Sequence, residues 1–105
     1  MYRLASIELT DENVLIVEAD GDASMQMAED VARSGGVVIG TVQDISAMLA
    51  AIDGSLRIDS VMADAQTLVQ APIFVPEWLR SKGIRLIVVT SWDDWFLGEF
   101  DAEAR

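Results

Sequence analysis

The sequence contains no cysteine and no histidine. The first absence rules out a disulfide framework and thiolate chemistry. The second removes Ser-His and Cys-His catalysis and any histidine-ligated metal site. Positive charge is scarce as well. Seven lysines and arginines face 18 aspartates and glutamates, for a net charge of −11, and Lys82 is the only lysine. A surface so acidic repels phosphate backbones, so nucleic acid is not an expected partner. A basic protein patch or a divalent cation suits it better. No apolar run reaches the ~18 residues that a membrane helix needs. The opening MYRLASIELTDEN also lacks the basic-then-apolar layout of a signal peptide. The expectation is a cytoplasmic protein with no membrane contact.

What is present is enough for one core. The chain has 105 residues, which implies a single domain over 1–105. Half of the residues are hydrophobic (51%), too many for a chain disordered by composition.

After a lead-in over 1–12, residues 13–17 (NVLIV) are almost continuously apolar. That is the pattern of a strand covered on both faces. Gly21-Asp22 is read as a turn. Residues 23–33 carry Met25, Met27, Ala28, Val31 and Ala32 at mostly helical spacing, and Gly35-Gly36 stops them. VVIGTV (37–42) is a second strand. Residues 44–52 are a second helix, with Ile45, Met48, Leu49 and Ile52 on one stripe.

IDSVMAD (58–64) is a third strand, and AQTLVQAPIFVP is a connection holding both prolines. PEWLRSKG suits a short helix, with Pro76 near its first turn and Gly83 past its end. IRLIVVTS (84–91) is the fourth strand. Alternating strands and helices imply a three-layer α/β domain around a mostly parallel sheet.

The tail, residues 91–105, admits two readings. Ser91 with Asp94 resembles a capping box, and Trp92, Trp95, Phe96 and Phe100 then fall at helical spacing. Alternatively, WFLGEF is a fifth short strand. The helix is preferred. The methionines are read as core filler, and Trp78 as a lid over the sheet.

Acids finish two of the strands. Glu18 and Asp20 follow the first, and Asp64 ends the third. In open parallel sheets, ligand sites lie beyond the carboxyl ends of the strands. If the first and third strands are neighbours, three carboxylates share one pocket, which is costly unless a cation or proton neutralises them. Aspartates also follow strands because they cap the next helix, and Asp20 or Asp22 is a candidate cap.

These residues resemble the receiver domain of two-component response regulators over about 13–91. VLIVEAD is similar to that family's first strand, IDSVMAD to its third, and IRLIVVTS to its fourth. The resemblance implies a flavodoxin-like sheet of four or five strands, order 2-1-3-4 and then 5. It implies Asp64 as phospho-acceptor, Thr90 as the switch hydroxyl, and Glu18 and Asp64 as ligands of a weakly held Mg²⁺, with Asp20 joining them only if the chain has already turned into the loop there. A histidine kinase is the partner it implies.

Three departures accompany it. The second member of the family's acidic pair falls on Ala19. No lysine is available at the end of a fifth strand, because Lys82 precedes the fourth; a fifth strand over 95–100 would place Glu99 there. At least two closing elements are missing, and the aromatic tail stands in for the usual region from the fourth helix to the fifth. Phosphoryl transfer to aspartate needs its moving charge neutralised.

The expectation is therefore a non-enzymatic, receiver-like signalling protein with impaired phosphoryl chemistry. It would act as a protein-interaction module, homodimeric through some of Trp92, Trp95, Phe96 and Phe100. A single-domain response regulator phosphorylated on Asp64 is one alternative. A small Mg²⁺-dependent hydrolase using the same carboxylates is another.

Overall fold

The computed structural model describes residues 9–54 and 57–89, and the backbone of 97–100. Its elements run β1 (Asn13–Val17), α1 (Gly21–Arg33), β2 (Val37–Val42), α2 (Ile45–Asp53), β3 (Ser60–Asp64), α3 (Ala65–Val69), α4 (Val75–Ser81), β4 (Arg85–Val89) and β5 (Leu97–Phe100). The sheet order is β2-β1-β3-β4-β5. The first four strands in that order are all parallel, the 2-1-3-4 arrangement of a flavodoxin-like α/β fold.

The near-continuous apolar runs have a direct cause in this layering. Val14, Ile16, Met62, Ile87 and Val89 face one side of the sheet, where Leu9 and the α1 residues Met27 and Val31 cover them. Leu15, Val17, Val61, Ala63 and Leu86 face the other, beneath Met48 of α2 and Val75 and Leu79 of α4. A strand covered on both faces leaves little room for polar side chains, and the buried Ser60 of β3 is accommodated by its hydrogen bond to Glu12. Full burial of each such aliphatic side chain contributes about 1.5–3 kcal/mol.

The helix ends follow from local chemistry. α1 stops where Gly35 adopts φ 91°, and the Gly36 N–H donates to the Val31 carbonyl. α4 stops the same way, with Gly83 at φ 75° and the Ile84 N–H donating to the Leu79 carbonyl. Only glycine reaches such dihedrals without a Cβ penalty.

Four details differ from the sequence reading. Gly21 and Asp22 belong to the first turn of α1 rather than to a turn before it, because Asp20 caps the helix earlier. The connection after β3 contains α3, a five-residue helix with no fully buried side chain and so no stripe to read. Met27, Met48 and Met62 are core residues, but Met25 is exposed.

The tail is the fourth correction. Residues 97–100, the end of the preferred tail helix, form a strand antiparallel to β4, with Leu97 opposite Val89 and Phe100 opposite Leu86. An open β4 edge would leave a row of backbone donors and acceptors unpaired, and that outweighs helical spacing in a short segment. Trp92, Trp95 and Phe96 lie outside the described residues, as does the Phe100 side chain.

Candidate functional site at the carboxyl ends of β1 and β3

The β1–β3 ladder pairs Ile16 with Met62 and Val17 with Ala63. Carried one residue further, that register sets Glu18 beside Asp64. Both continue the alternation of the face covered by α1: 14, 16, 18 on one strand and 60, 62, 64 on the other. Two carboxylates therefore meet at the rim of the sheet as a consequence of strand pairing.

Their electrostatics record the meeting. Burial pushes the Glu18 carboxyl above the usual glutamate range. The Asp20 N–H, which donates to Glu18 Oε2 at 3.0 Å, pulls it down. The charge of Asp64 pushes it up again, and a protonated Glu18 donates a hydrogen bond to Asp64. Desolvation and like charge both favour the protonated form of Glu18.

Each aspartate also has a structural task. Asp20 Oδ1 accepts from the Ala23 N–H at 3.0 Å and caps α1. Asp64 Oδ1 accepts from the Thr67 N–H at 2.7 Å and caps α3. Asp44 caps α2 through the Ala47 N–H at 2.8 Å. All three residues adopt extended φ/ψ, the backbone state a capping residue needs. The sequence weighed capping against site chemistry for these acids, and the geometry combines them. Glu18, Asp20 and Asp64 share one rim, while two of the three spend an oxygen on a helix start.

The donor set suits a divalent cation poorly. Glu18, Asp20 and Asp64 could each offer one oxygen not already used in a hydrogen bond to a backbone N–H. Among the described residues, no group of three acidic, histidine or cysteine side chains is placed to hold a metal ion. Mg²⁺ asks for near-octahedral oxygen geometry and would have to keep most of its water here.

No described cation is paired with these acids. Arg33, Arg57, Arg80 and Arg85 pair with Asp30, Asp59, Glu77 and Glu12. The Lys82 ammonium stands 5.1 Å from the centre of the Trp78 ring. Lys82 follows α4 and precedes β4, so it belongs to the amino-end rim, opposite Asp64. Glu99 does not stand in the lysine position, because β5 runs antiparallel and sets it across from Ile87 in mid-strand. Thr90 lies outside the described residues.

Beside the acids, an open cleft of about 380 Å³ lies between the chain leaving β1, the start of α2, and α3. Ala19, Gln43, Asp44, Ser46, Thr67 and Gln70 line it. Nothing in the sequence pattern singled out this mixed lining, to which Ile45 also belongs.

The opposite rim carries a second polar cluster. The Arg85 guanidinium donates to both Glu12 oxygens at 2.8 Å, and the Ser60 hydroxyl donates to Glu12 Oε1. The Asn13 N–H donates to Asp59 Oδ2 at 2.8 Å. This network ties the amino ends of β1, β3 and β4 together.

No helix among the described residues is long and apolar enough to cross a membrane. Comparison with known protein families, with curated proteins and with solved structures finds no match to this chain.

Proposed function

We propose that the chain is a receiver-like, protein-interaction module of cytoplasmic signalling whose phosphoryl chemistry is impaired. The observation that carries this reading is the pairing of Glu18 with Asp64 at the carboxyl ends of adjacent parallel strands. That is the position at which an open α/β sheet presents its site. Asp64 stands where the receiver resemblance expects the phospho-acceptor, and the sheet order is compatible with it.

The same geometry argues against efficient transfer. A phosphoryl group arriving at Asp64 meets the neighbouring Glu18 carboxylate, and no described cation is paired there to offset it. One Asp64 oxygen already accepts from the Thr67 N–H. Stabilising the charge of the moving group is the main catalytic task in such a transfer. A metal-dependent hydrolase is favoured less, since it needs a cation clamp and a base that these carboxylates do not supply.

The test is incubation with acetyl phosphate, with and without Mg²⁺, followed by intact-mass measurement. No adduct in either condition is the expected result. A Mg²⁺-dependent phosphoryl adduct that is lost in Asp64→Asn would overturn the reading in favour of a response regulator phosphorylated on Asp64. Sedimentation at two concentrations tests the homodimer.

A further inference from the structure

Two aspartates of this chain are followed directly by glycine, in Asp20-Gly21 and Asp53-Gly54. That pairing has a chemistry of its own. A glycine N–H has no Cβ beside it to shield it, and the glycine backbone turns freely. The glycine nitrogen can attack the side-chain carboxyl carbon of the preceding aspartate. A C–N bond forms, and one oxygen of the protonated carboxyl leaves as water with the acid proton and the amide proton. The product is a succinimide ring. Water then opens the ring at either carbonyl. One opening restores aspartate, and the other leaves the main chain running through the former side-chain carbonyl, as isoaspartate. No further reactant is needed, and the negative charge is kept.

The fold treats the two dipeptides differently. Asp20 is held on both sides. Its Oδ1 accepts from the Ala23 N–H at 3.0 Å, and its own N–H donates to Glu18 Oε2 at 3.0 Å. Its carbonyl accepts from the Ser24 N–H at 2.9 Å, and the Ser24 hydroxyl donates to the Gly21 carbonyl at 3.1 Å. To reach the Gly21 nitrogen, the Asp20 carboxyl must abandon its cap and the first turn of α1 must loosen.

Asp53 has no such restraint. It is the last residue of α2 and is exposed, and its carboxylate has no hydrogen-bond or ion-pair partner among the described residues. Gly54 follows as the exposed C-cap. Its N–H donates to the Ala51 carbonyl at 3.2 Å, the closing bond of the helix. Terminal bonds of this kind fray, and opening of such an end is local.

We propose that Asp53-Gly54 is a site of spontaneous covalent modification, at which the folded chain converts Asp53 to isoaspartate, while the α1 cap protects the same dipeptide at Asp20. The change lengthens the main chain by one carbon between α2 and β3. Its effect ends before the sheet, because the Asp59 N–H donates to the Asn13 carbonyl at 2.8 Å and the Asn13 N–H to Asp59 Oδ2 at 2.8 Å. This inference goes beyond the proposed function and does not depend on it.

The test is to hold the full chain at neutral pH and body temperature for several weeks, then digest it with trypsin. The peptide ending at Arg33 carries Asp20-Gly21, and the peptide ending at Arg57 carries Asp53-Gly54. Chromatography separates the isoaspartyl form of each, and mass measurement shows the succinimide as a species one water lighter. Isoaspartate should form at Asp53 at least about fivefold faster than at Asp20, the factor that a lost N-cap represents. In a sample unfolded with guanidinium chloride the two rates should converge. Gly54→Ala should bring Asp53 down to the rate of Asp20 or below. Gly54 has φ −84°, and an added Cβ would lie 3.4 Å from the Ala50 carbonyl oxygen, an ordinary contact. The variant is therefore expected to fold, and its amide spectrum checks this.

Equal rates at the two dipeptides in the folded chain would overturn the proposal. So would an unmodified Asp53 in the folded chain when the unfolded chain has reacted. Conversion of Gly54→Ala at the parent's rate would overturn it as well, because the attack would not then depend on the unshielded glycine N–H. A phosphoryl adduct on Asp64 would count against the proposed function and leave this inference standing.

Discussion

Glu18 and Asp64 stand side by side because β1 and β3 pair in parallel, with Val17 opposite Ala63 and the two acids next in register. The acids are adjacent through backbone geometry, so their repulsion is built into the sheet.

Replacing Glu18 with glutamine is expected to stabilise the protein at neutral pH. Its carboxyl titrates higher in the folded chain than in the unfolded chain, with burial the main cause and Asp64 contributing. The folded state therefore binds the proton more tightly, and stability falls as pH rises from the unfolded value through the folded one. The gain of Glu18→Gln should be present above that window and vanish below it. About 0.5 kcal/mol is the scale for one partly exposed charge contact. Urea unfolding of both proteins at pH 7 and at pH 3.5 would measure it. A Glu18→Gln variant less stable than the parent at pH 7 would contradict the assignment.

Asp64 separates capping from charge through two substitutions. Asp64→Ala removes the acceptor of the Thr67 N–H and should cost about 1 kcal/mol, the usual value of an N-cap. Asp64→Asn keeps an acceptor and removes the negative charge facing Glu18, so it should be neutral or stabilising. Thermal unfolding of the pair gives the answer directly. Equal losses in both variants would mean that the charge itself holds the local structure.

Arg85→Met breaks the tie at the amino-end rim. Glu12 would keep only the Ser60 hydroxyl, and the Arg85 guanidinium is three-quarters buried. A loss of roughly 1–3 kcal/mol is expected when a partly buried carboxylate loses its charged hydrogen-bond partner. The double variant Glu12→Gln/Arg85→Met should recover part of that loss. Chemical denaturation of the single and double variants would show whether it does.

Gly36→Ala tests the close approach of α1 to the chain before β1. A Cβ at Gly36 would lie 2.9 Å from Val31 Cγ1 and 3.2 Å from Leu9 Cβ. Leu9 and Val31 are fully buried, so neither can swing into solvent. Overpacking of this kind costs about 1–3 kcal/mol, to be read as a lowered Tm.

The layers and the parallel pairing were legible in the sequence because β1, β3 and β4 are apolar almost without a break, whereas the strand order was implied by the family resemblance alone. That pattern has one common explanation, a strand between two helical layers. The acid pair was legible for the same reason, since position 18 and position 64 each follow such a run. α3 was not legible: AQTLV has no apolar stripe, and its helical start depends on the Asp64 side chain.

The tail misled because its aromatic spacing is a local signal. Its pairing is decided by the open edge of β4, which the local sequence does not report. The tie among Glu12, Ser60 and Arg85 joins residues 48 and 73 positions apart, beyond any local pattern.

The antiparallel β5 bears on how the chain assembles. Every parallel ladder here joins segments with a helix between them, so each pairing waits on a long closure. The β4–β5 ladder joins strands seven residues apart, and its loop entropy is the smallest in the sheet. The outermost pair is thus the most local one, while the β1–β3 pairing that sets Glu18 beside Asp64 closes a loop containing α1, β2 and α2.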